Sequence, residues 1–503
     1  MEKRVASLTM SASWLLMART VSFVFSLALP LFLVRHLNQT EFGLYKQAFL
    51  VVNTVVTIVP LGFGLSALYF LPREPDKQRS TVLHILLFNV VVSGLVYLAL
   101  IIRPSLVQLI IGGPQLVSYA PALGLLILLW VITSPFEFIA MACNEMKIAG
   151  AIIIAVQLSR TGFVLAAALL FGSVRALVVA AIVQGACVAL AFVAYLSARF
   201  PKFWLHFDGA MMGRQLSYVL PLGAAGLLYT FQVDLHNYFV SNRFGPALFA
   251  IYAIGTAQLP LVNMLQEAAS SVLIPHISVL QQKGDYHEII LQTARAMRKL
   301  AAAYLPIYAV LLVVGREFIR FLFTDRYIDS WPIFAVNLTL LPLSIILYDP
   351  LCRALAEQRY FLIRLRIVLL LALIPLLWFC TVHFGLVGAI SAVVAANLVD
   401  RGVMIIRFGY VLGFKRRDMV LVKDIAKLAL AAAGAALVTG AVRTQVLWAK
   451  PFIVLAVCGS VFAVVYLVLV FLLRIPSDEE KMIVYERLMP ILPAWLRLKG
   501  NPT

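Results

Sequence analysis

Five ionisable side chains lie inside long apolar stretches of the sequence: Arg19, Arg160, Asp234, Glu267 and Glu137. A charge at the middle of a membrane-spanning helix costs about 2.5–3.5 kcal/mol, so such residues usually face a cavity or a partner. A guanidinium group binds phosphate-bearing anions through forked, charge-assisted hydrogen bonds. A carboxylate in a spanning helix can exchange a proton or Na⁺ and so couple movement to an ion gradient. The structural alternative is an arginine that pairs with a carboxylate or extends to the membrane surface.

Polar residues at helical spacing accompany two of these charges. Ser22 and Ser26 share a helix face with Arg19, and Thr230 lies one turn from Asp234. One polar face therefore carries a cation and the other an anion. Two such faces would suit opposite walls of a central cavity.

The composition requires helices that can hold these residues within a membrane. The chain has 503 residues, of which 62% are hydrophobic and 13% are charged, and its mean hydropathy is +0.96. A soluble chain contains about 45–50% apolar and about 25% charged residues. The connections are too short for a large catalytic domain outside the membrane. The five cysteines lie in or beside apolar stretches without a Cys-x-x-Cys pair, so we expect no disulfide, metal site or cofactor.

The apolar runs predict an all-α polytopic membrane protein with about fourteen transmembrane helices, since about 20 apolar residues span a bilayer. The first run continues past Arg19 without a cleavage site, which indicates a retained span rather than a signal peptide. The predicted spans are 8–34, 45–70, 81–102, 116–142, 148–171, 174–196, 215–241, 248–275, 300–323, 331–355, 361–382, 385–409, 424–447 and 451–474.

The distribution of basic residues predicts the orientation. The net charge is +18, and 28 of the 41 Lys and Arg residues fall in the two termini and in alternate connections. Basic residues concentrate on the cytoplasmic side of membrane proteins, so both termini are expected there. The excess of positive charge is thereby explained by topology, without nucleic acid.

Two short matches indicate an internal duplication. Phe42 and Tyr45 match Phe249 and Tyr252 at the junctions between two pairs of spans, and residues 171–174 match 384–387. Repeated helical bundles with a site between them are a transporter architecture. The expected domains are a six-helix lobe at 1–214, a second six-helix lobe at 215–423, two extra helices at 424–474 and a cytoplasmic amphipathic tail at 475–503.

Four short motifs lie at the ends of predicted spans or within them: 38–45 (NQTEFGLY), 220–222 (LPL) with Asp234 farther along the same span, 274–278 (IPHIS) and 385–389 (GLVGA). They resemble motifs of the bacterial polysaccharide flippases, the Wzx-type translocases of O-antigen and exopolysaccharide. This family belongs to the superfamily of multidrug, oligosaccharidyl-lipid and polysaccharide exporters.

The resemblance implies a non-enzymatic flippase in the inner membrane that moves an undecaprenyl-diphosphate-linked oligosaccharide between leaflets by alternating access. Arg19 and Arg160 would then bind the substrate diphosphate, and Asp234, Glu267 and Glu137 would couple transport to H⁺ or Na⁺. Membrane lipids and the polysaccharide polymerase machinery are the other expected partners.

Three other functions stay open at this point. A drug/cation antiporter or a lipid II flippase would belong to the same superfamily. An antiporter of cations has no need of intramembrane arginines, so Arg19 and Arg160 favour an anionic substrate. The lipid II flippases also have fourteen spans, so the number of spans does not exclude them. A membrane enzyme that polymerises or ligates glycans would need a sizeable external catalytic loop, and the outside loops here are short.

Overall fold

The computed structural model describes residues 2–355, 358–446 and 448–476, and this part of the chain is built from helices. Short turns and 3-10 segments connect them. The predicted amphipathic tail lies outside the described residues from position 477 onward. The helices are α1 (Glu2–His36), α2 (Gln39–Ile58), α3 (Ser66–Arg73), α4 (Gln78–Ile102), α5 (Ser105–Ile111), α6 (Ala120–Thr133), α7 (Phe136–Ala142), α8 (Met146–Phe171), α9 (Val174–Arg199), α10 (Gly209–Arg243), α11 (Pro246–Gly255), α12 (Pro260–Gln282), α13 (Tyr286–Phe323), α14 (Trp331–Leu338), α15 (Leu340–Leu343), α16 (Asp349–Ala354), α17 (Arg359–Val411), α18 (Lys423–Gln445) and α19 (Pro451–Leu472).

Many of these helices are long and apolar enough to cross a membrane. Within the described residues nine helices or merged helical segments meet this condition, and a tenth is formed if α2 and the segment Phe63–Arg73, bent by 44°, make one broken span. The prediction of an all-helical, multi-span membrane protein is confirmed.

Helix α17 turns back at Gly385. Its 53 residues would extend about 80 Å as a straight helix, whereas the hydrocarbon core of a bilayer is about 30 Å thick. Gly385 has φ 60° and ψ −140°, a conformation that is essentially restricted to glycine. A methyl group added at Gly388 would collide with the carbonyl oxygen of Cys380, eight residues earlier. The chain therefore reverses at the turn predicted between 382 and 385.

The chain divides into two compact units. The first comprises residues up to 257 together with 322–334 and 363–393, and the second comprises the remaining described residues. Helices α10 and α11 belong to the first unit. These units are defined by contacts, whereas the two predicted six-helix lobes are defined by a duplication in the sequence. The lobes therefore stay a prediction.

Polar groups fix the turn that begins α2. The side chain of Asn38 caps the helix by accepting a hydrogen bond from the backbone N–H of Glu41 at 2.8 Å. The Glu41 carboxylate in turn accepts one from the backbone N–H of Val174, the first residue of α9, at 2.9 Å. An anion at a helix N-terminus is favourable because the first N–H groups have no partner within the helix.

The aromatic residues of the two matching motifs are buried in the first unit. Phe42 and Tyr45 are at most 7% exposed, and so are their counterparts Phe249 and Tyr252. At Gly43 the backbone of α2 touches Pro246 at the start of α11 so closely that a methyl group would collide with the Pro246 carbonyl. The two helices that the duplication would make equivalent thus pack directly on each other.

An apolar core joins five helices and two 3-10 segments of the first unit near the start of α4. Its members include Phe63, Ile85, Phe136, Phe192 and Phe203, each at most 7% exposed. Leu71 of α3 and Val219 of α10 complete it. This core anchors the helices that carry the polar groups described below.

The second unit contains a buried ion pair. Arg443 of α18 donates a hydrogen bond to Glu317 of α13 at 2.8 Å, and the Glu317 side chain is only 7% exposed. Beside it, Val314 packs against Val454 and Cys458 of α19. The pair and this small cluster attach the last two helices to α13.

Candidate functional site

Arg160 lies in α8 with its guanidinium over an aromatic ring of a neighbouring helix. The guanidinium carbon is 3.6 Å from the ring centroid of Trp130 in α6. Phe49 of α2 packs against Trp130 at 5.8 Å between centroids, and Tyr45 packs against Phe49 at 4.5 Å. A guanidinium is weakly hydrated and stacks on aromatic rings, so this row of rings can hold the cation within the membrane.

No carboxylate neutralises Arg160 within the described residues. Its Nε atom is buried and has no hydrogen-bond partner, and the contact with Trp130 is its only cation–π contact there. The site therefore keeps a cation whose hydrogen-bonding capacity is not fully used. Such a group can bind an anion without first breaking a salt bridge.

Helix α9 forms the far side of this site. A methyl group added at Gly185 would lie 3.2 Å from Cδ1 of Trp130, so the edge of the indole sits against the α9 backbone. The neighbouring Gln184 donates to the hydroxyl of Ser159 at 3.2 Å. Both contacts tie α9 to the helices that carry Trp130 and Arg160.

Arg19 has a different environment, because it pairs with one of the predicted carboxylates. Its guanidinium lies 3.7 Å from Glu137 in the first turn of α7. The Arg19 side chain is 62% exposed and the Glu137 side chain 30%. Two of the five predicted residues are therefore brought together, in the arrangement expected of mutual neutralisation.

The two arginines lie at different levels. Ala18 is beside Gly150 of α8, where an added methyl group would meet its side chain at 3.5 Å. Arg160 follows Gly150 by ten residues on the same helix, which corresponds to about 15 Å along its axis. Arg19 and Arg160 thus form two separate sites in this conformation.

Asp234 in α10 has a hydroxyl partner. The Oγ1 atom of Thr54 in α2 donates a hydrogen bond to its carboxylate at 2.9 Å. Thr54 is 5% exposed, and within the described part of the chain no Lys or Arg is in ion-pair distance of Asp234. A carboxylate without a fixed cation can accept a proton or hold a small cation.

Glu267 belongs to the second compact unit. It lies in α12, and its side chain is exposed. Its role as an ion-coupling residue stays a prediction.

Sequence reasoning missed two partners of these charges, Trp130 and Thr54. It also missed the buried hydrogen bond between His236 and Tyr252, which is 2.8 Å long. All of these contacts join different helices. A Trp or Thr inside an apolar stretch carries no signal of its partner. Tyr252 alone was singled out, through its match with Tyr45.

Asp208 organises a further polar cluster where α10 begins. Its carboxylate accepts hydrogen bonds from Lys77 at 2.8 Å and from the backbone N–H of Met211 at 3.1 Å. These bonds, that of Lys77 first, lower the pKa of Asp208 to about 2. Its own N–H donates to Nε2 of the buried His84, whose Nδ1 lies 2.9 Å from Oε1 of Gln215. His84 is therefore neutral, with its proton on Nδ1.

The fold is that of the transporters of the exporter superfamily that the motifs indicated, also called the MOP superfamily. A solved structure of the lipid II flippase MurJ in an inward closed conformation is similar, with a TM-score of 0.69 and 14% identity over 93% of this chain and 99% of that one. An inward-facing multidrug resistance MATE family transporter has a TM-score of 0.61 and 14% identity over 80% and 96%. A MOP superfamily transporter from Pyrococcus furiosus has a TM-score of 0.55 and 14% identity, over 81% of this chain and 95% of that one.

The family is given by the sequence itself. The chain belongs to the family described as polysaccharide biosynthesis protein, whose profile matches residues 32–332. A search of curated protein sequences finds no match. The resemblance to the polysaccharide exporters is thus confirmed for the family and the fold.

Proposed function

We propose that the protein is a flippase that moves an undecaprenyl-diphosphate-linked oligosaccharide across the bacterial inner membrane for surface polysaccharide biosynthesis. The observation that carries this proposal is Arg160, a guanidinium that is held on Trp130 within a spanning helix and is not paired with a carboxylate of the described residues. A diphosphate is the anionic part of such a substrate, and guanidinium groups bind phosphates through two parallel hydrogen bonds.

Arg19 is proposed as a second, separate binding site for the diphosphate. Its side chain is 62% exposed, and its pair with Glu137 at 3.7 Å is longer than a direct hydrogen bond. Exposed ion pairs contribute little free energy. An arriving diphosphate can therefore replace Glu137 as the partner of Arg19.

Family membership and architecture support transport rather than catalysis. The family is one of polysaccharide biosynthesis, and the fold is shared with a flippase and with multidrug transporters. We propose fourteen spans, with each broken helix counted as one and α17 as two; nine or ten segments of the described residues meet the length and hydropathy condition for a span. The proposed topology places both termini in the cytoplasm, because 28 of the 41 Lys and Arg residues would then lie on that side.

The proposed mechanism is alternating access coupled to H⁺ or Na⁺. Asp234 is the proposed coupling residue because its partner is the Thr54 hydroxyl rather than a cation. Glu137 and Glu267 are proposed as secondary acidic sites. Binding of the ion to one conformation more tightly than to the other would shift the population between them.

The test is lipid mass spectrometry on cells that lack the gene. We expect complete undecaprenyl-diphosphate-oligosaccharide units to accumulate, protected from an externally added glycosidase, while surface polysaccharide is lost. Complementation with Arg160→Ala or Arg160→Lys should fail, because lysine cannot present a planar fork. Arg175→Ala is the matched control, since Arg175 is exposed at the start of α9.

Three other results would overturn the proposal. Accumulation of lipid II instead would assign the protein to the lipid II flippases, whose fold it shares. Unchanged lipids with new sensitivity to cationic drugs would indicate a multidrug antiporter. Accumulation of units exposed to the glycosidase would indicate a glycan polymerase or ligase.

A further inference from the structure

We infer that Trp130 is a positioning residue that orients the planar guanidinium of Arg160 toward two oxygens of a tetrahedral phosphate group of the diphosphate. This inference rests on the proposed function, and it concerns which atoms of Arg160 a ligand can reach. The guanidinium carbon is 3.6 Å from the centroid of the indole, which is the separation of two stacked planar groups.

The position of the indole is itself fixed. Trp130 is 6% exposed, and Phe49 contacts it from α2 at 5.8 Å between centroids. On α9, Gly185 leaves just enough space for the ring, because a methyl group there would lie 3.2 Å from Cδ1 and 3.3 Å from Nε1. Three helices thus hold the ring in one place, and the guanidinium follows it.

Stacking restricts how an anion can approach. One face of the guanidinium is covered by the indole, so a ligand must bind in the guanidinium plane, where its N–H groups point. Two N–H groups on one edge match two oxygens of a phosphate. The indole also provides negative π density to the cation without supplying an oxygen that would compete with the ligand.

Arg19 shows the contrast within the same unit. Its partner is the carboxylate of Glu137, 3.7 Å from one guanidinium nitrogen, an anion that competes electrostatically with an arriving phosphate. The aromatic partner leaves Arg160 open to a phosphate, whereas the acidic partner of Arg19 must first be displaced. The structure therefore assigns Arg160, through Trp130, the role of the preorganised ligand.

A double-mutant cycle on the purified protein in detergent tests this inference, with undecaprenyl diphosphate as the probe. We expect Trp130→Leu and Arg160→Ala each to weaken binding about tenfold, the effect of losing one desolvated cation–π or phosphate contact. The double variant should bind no more weakly than Arg160→Ala alone, because Trp130 acts through Arg160. Trp130→Phe, which keeps an aromatic face, should bind within about threefold of the wild type.

Gly185→Ala is the second variant, in case Trp130→Leu does not fold. Its methyl group would push the indole by a few tenths of an ångström without removing any group from the site. We expect weaker binding in the wild-type background and no effect in the Arg160→Ala background. Thermal unfolding of each variant separates loss of the fold from loss of orientation.

Two results would contradict the inference, and a third concerns the proposed function instead. Binding unaffected by Trp130→Leu, or weakened equally with and without Arg160, would overturn the positioning role. Undiminished binding by Arg160→Ala would overturn the assignment of Arg160 to the diphosphate. The failure of one proposal is therefore distinguished from the failure of the other.

Discussion

The carboxylate of Glu41 accepts a hydrogen bond from the backbone N–H of Val174 at 2.9 Å and so joins the start of α2 to the start of α9. The two residues are 133 positions apart, yet both lie in turns that the sequence motifs indicated. Glu41 belongs to the NQTEFGLY motif, and Val174 ends the stretch matched at 384–387. The acidic residue in this motif therefore has a structural role as a cap of another helix.

Replacement of Glu41 should lower stability. We expect Glu41→Ala to cost about 1–2 kcal/mol, because the first N–H of α9 loses an acceptor and the helix N-terminus loses a nearby anion. Glu41→Gln keeps an acceptor oxygen and should cost about half as much. Thermal unfolding of the purified protein in detergent measures both. Equal stability of Glu41→Ala and the wild type would show that water replaces the carboxylate without loss.

Gly43 should not tolerate a side chain. A methyl group there would overlap the carbonyl of Pro246, and the contact is between two backbones that cannot move independently. We expect Gly43→Ala to lose at least about 2 kcal/mol of stability or to fail to accumulate in the membrane. Gly94→Ala in α4 is the matched control, since no atom lies within 4 Å of the added methyl group. Similar expression and melting temperatures for both variants would contradict the close approach.

The sequence predicts the all-helical, multi-span architecture, but it does not predict the breaks that divide the spans 45–70, 248–275 and 331–355 into separate helices. Periodicity and length identify apolar spans because each span buries its own backbone hydrogen bonds and needs no partner to do so. The turn at Gly385 was also predictable, since a reversal between closely spaced spans requires a conformation that glycine adopts. These features depend on local physical chemistry alone.

The pairing of the charges was not predictable from the sequence. Arg160 and Asp234 were singled out individually, because a charge in an apolar stretch is costly wherever it lies. Their partners Trp130 and Thr54 are ordinary residues of other helices, and only packing brings them together. Sequence spacing therefore identifies the candidate charges but not which are neutralised.

Glu137 should compete with the substrate diphosphate for the guanidinium of Arg19. We expect Glu137→Gln to raise the affinity for undecaprenyl diphosphate about threefold, because it frees the Arg19 guanidinium. The same substitution should have no effect in an Arg19→Ala background, which is the matched control. Binding measured on purified protein at low and moderate salt gives the result. Weaker binding by Glu137→Gln would mean that the carboxylate holds Arg19 in place for the substrate.

Asp234 should determine the response to an ion gradient. In proteoliposomes we expect an imposed H⁺ or Na⁺ gradient to accelerate flipping by the wild type and to have no effect on Asp234→Asn. Thr54→Val should reduce the response several-fold, since loss of one hydrogen bond of about 1 kcal/mol changes an equilibrium by that factor. Thr54→Ser, which keeps the hydroxyl that donates to Asp234, should restore it. A full gradient response in Asp234→Asn would remove this residue from the coupling mechanism.

The Asp208 cluster should produce a defined dependence of stability on pH. The pKa of Asp208 is lowered from 3.8 to about 2, first by the hydrogen bond from Lys77. A lowered pKa means that the folded state favours the carboxylate, so its contribution is complete above about pH 4 and is lost as the pH falls through about 2. Asp208→Asn keeps a good N-cap for α10 but removes the charge opposite Lys77. We expect it to lower the melting temperature by on the order of 1 °C at pH 7, with Lys77→Met as the matched variant. In thermal unfolding, the difference in melting temperature between Asp208→Asn and the wild type should shrink as the pH falls from 4 to 2. A difference that grows with falling pH would contradict the stabilising role of the Asp208 carboxylate.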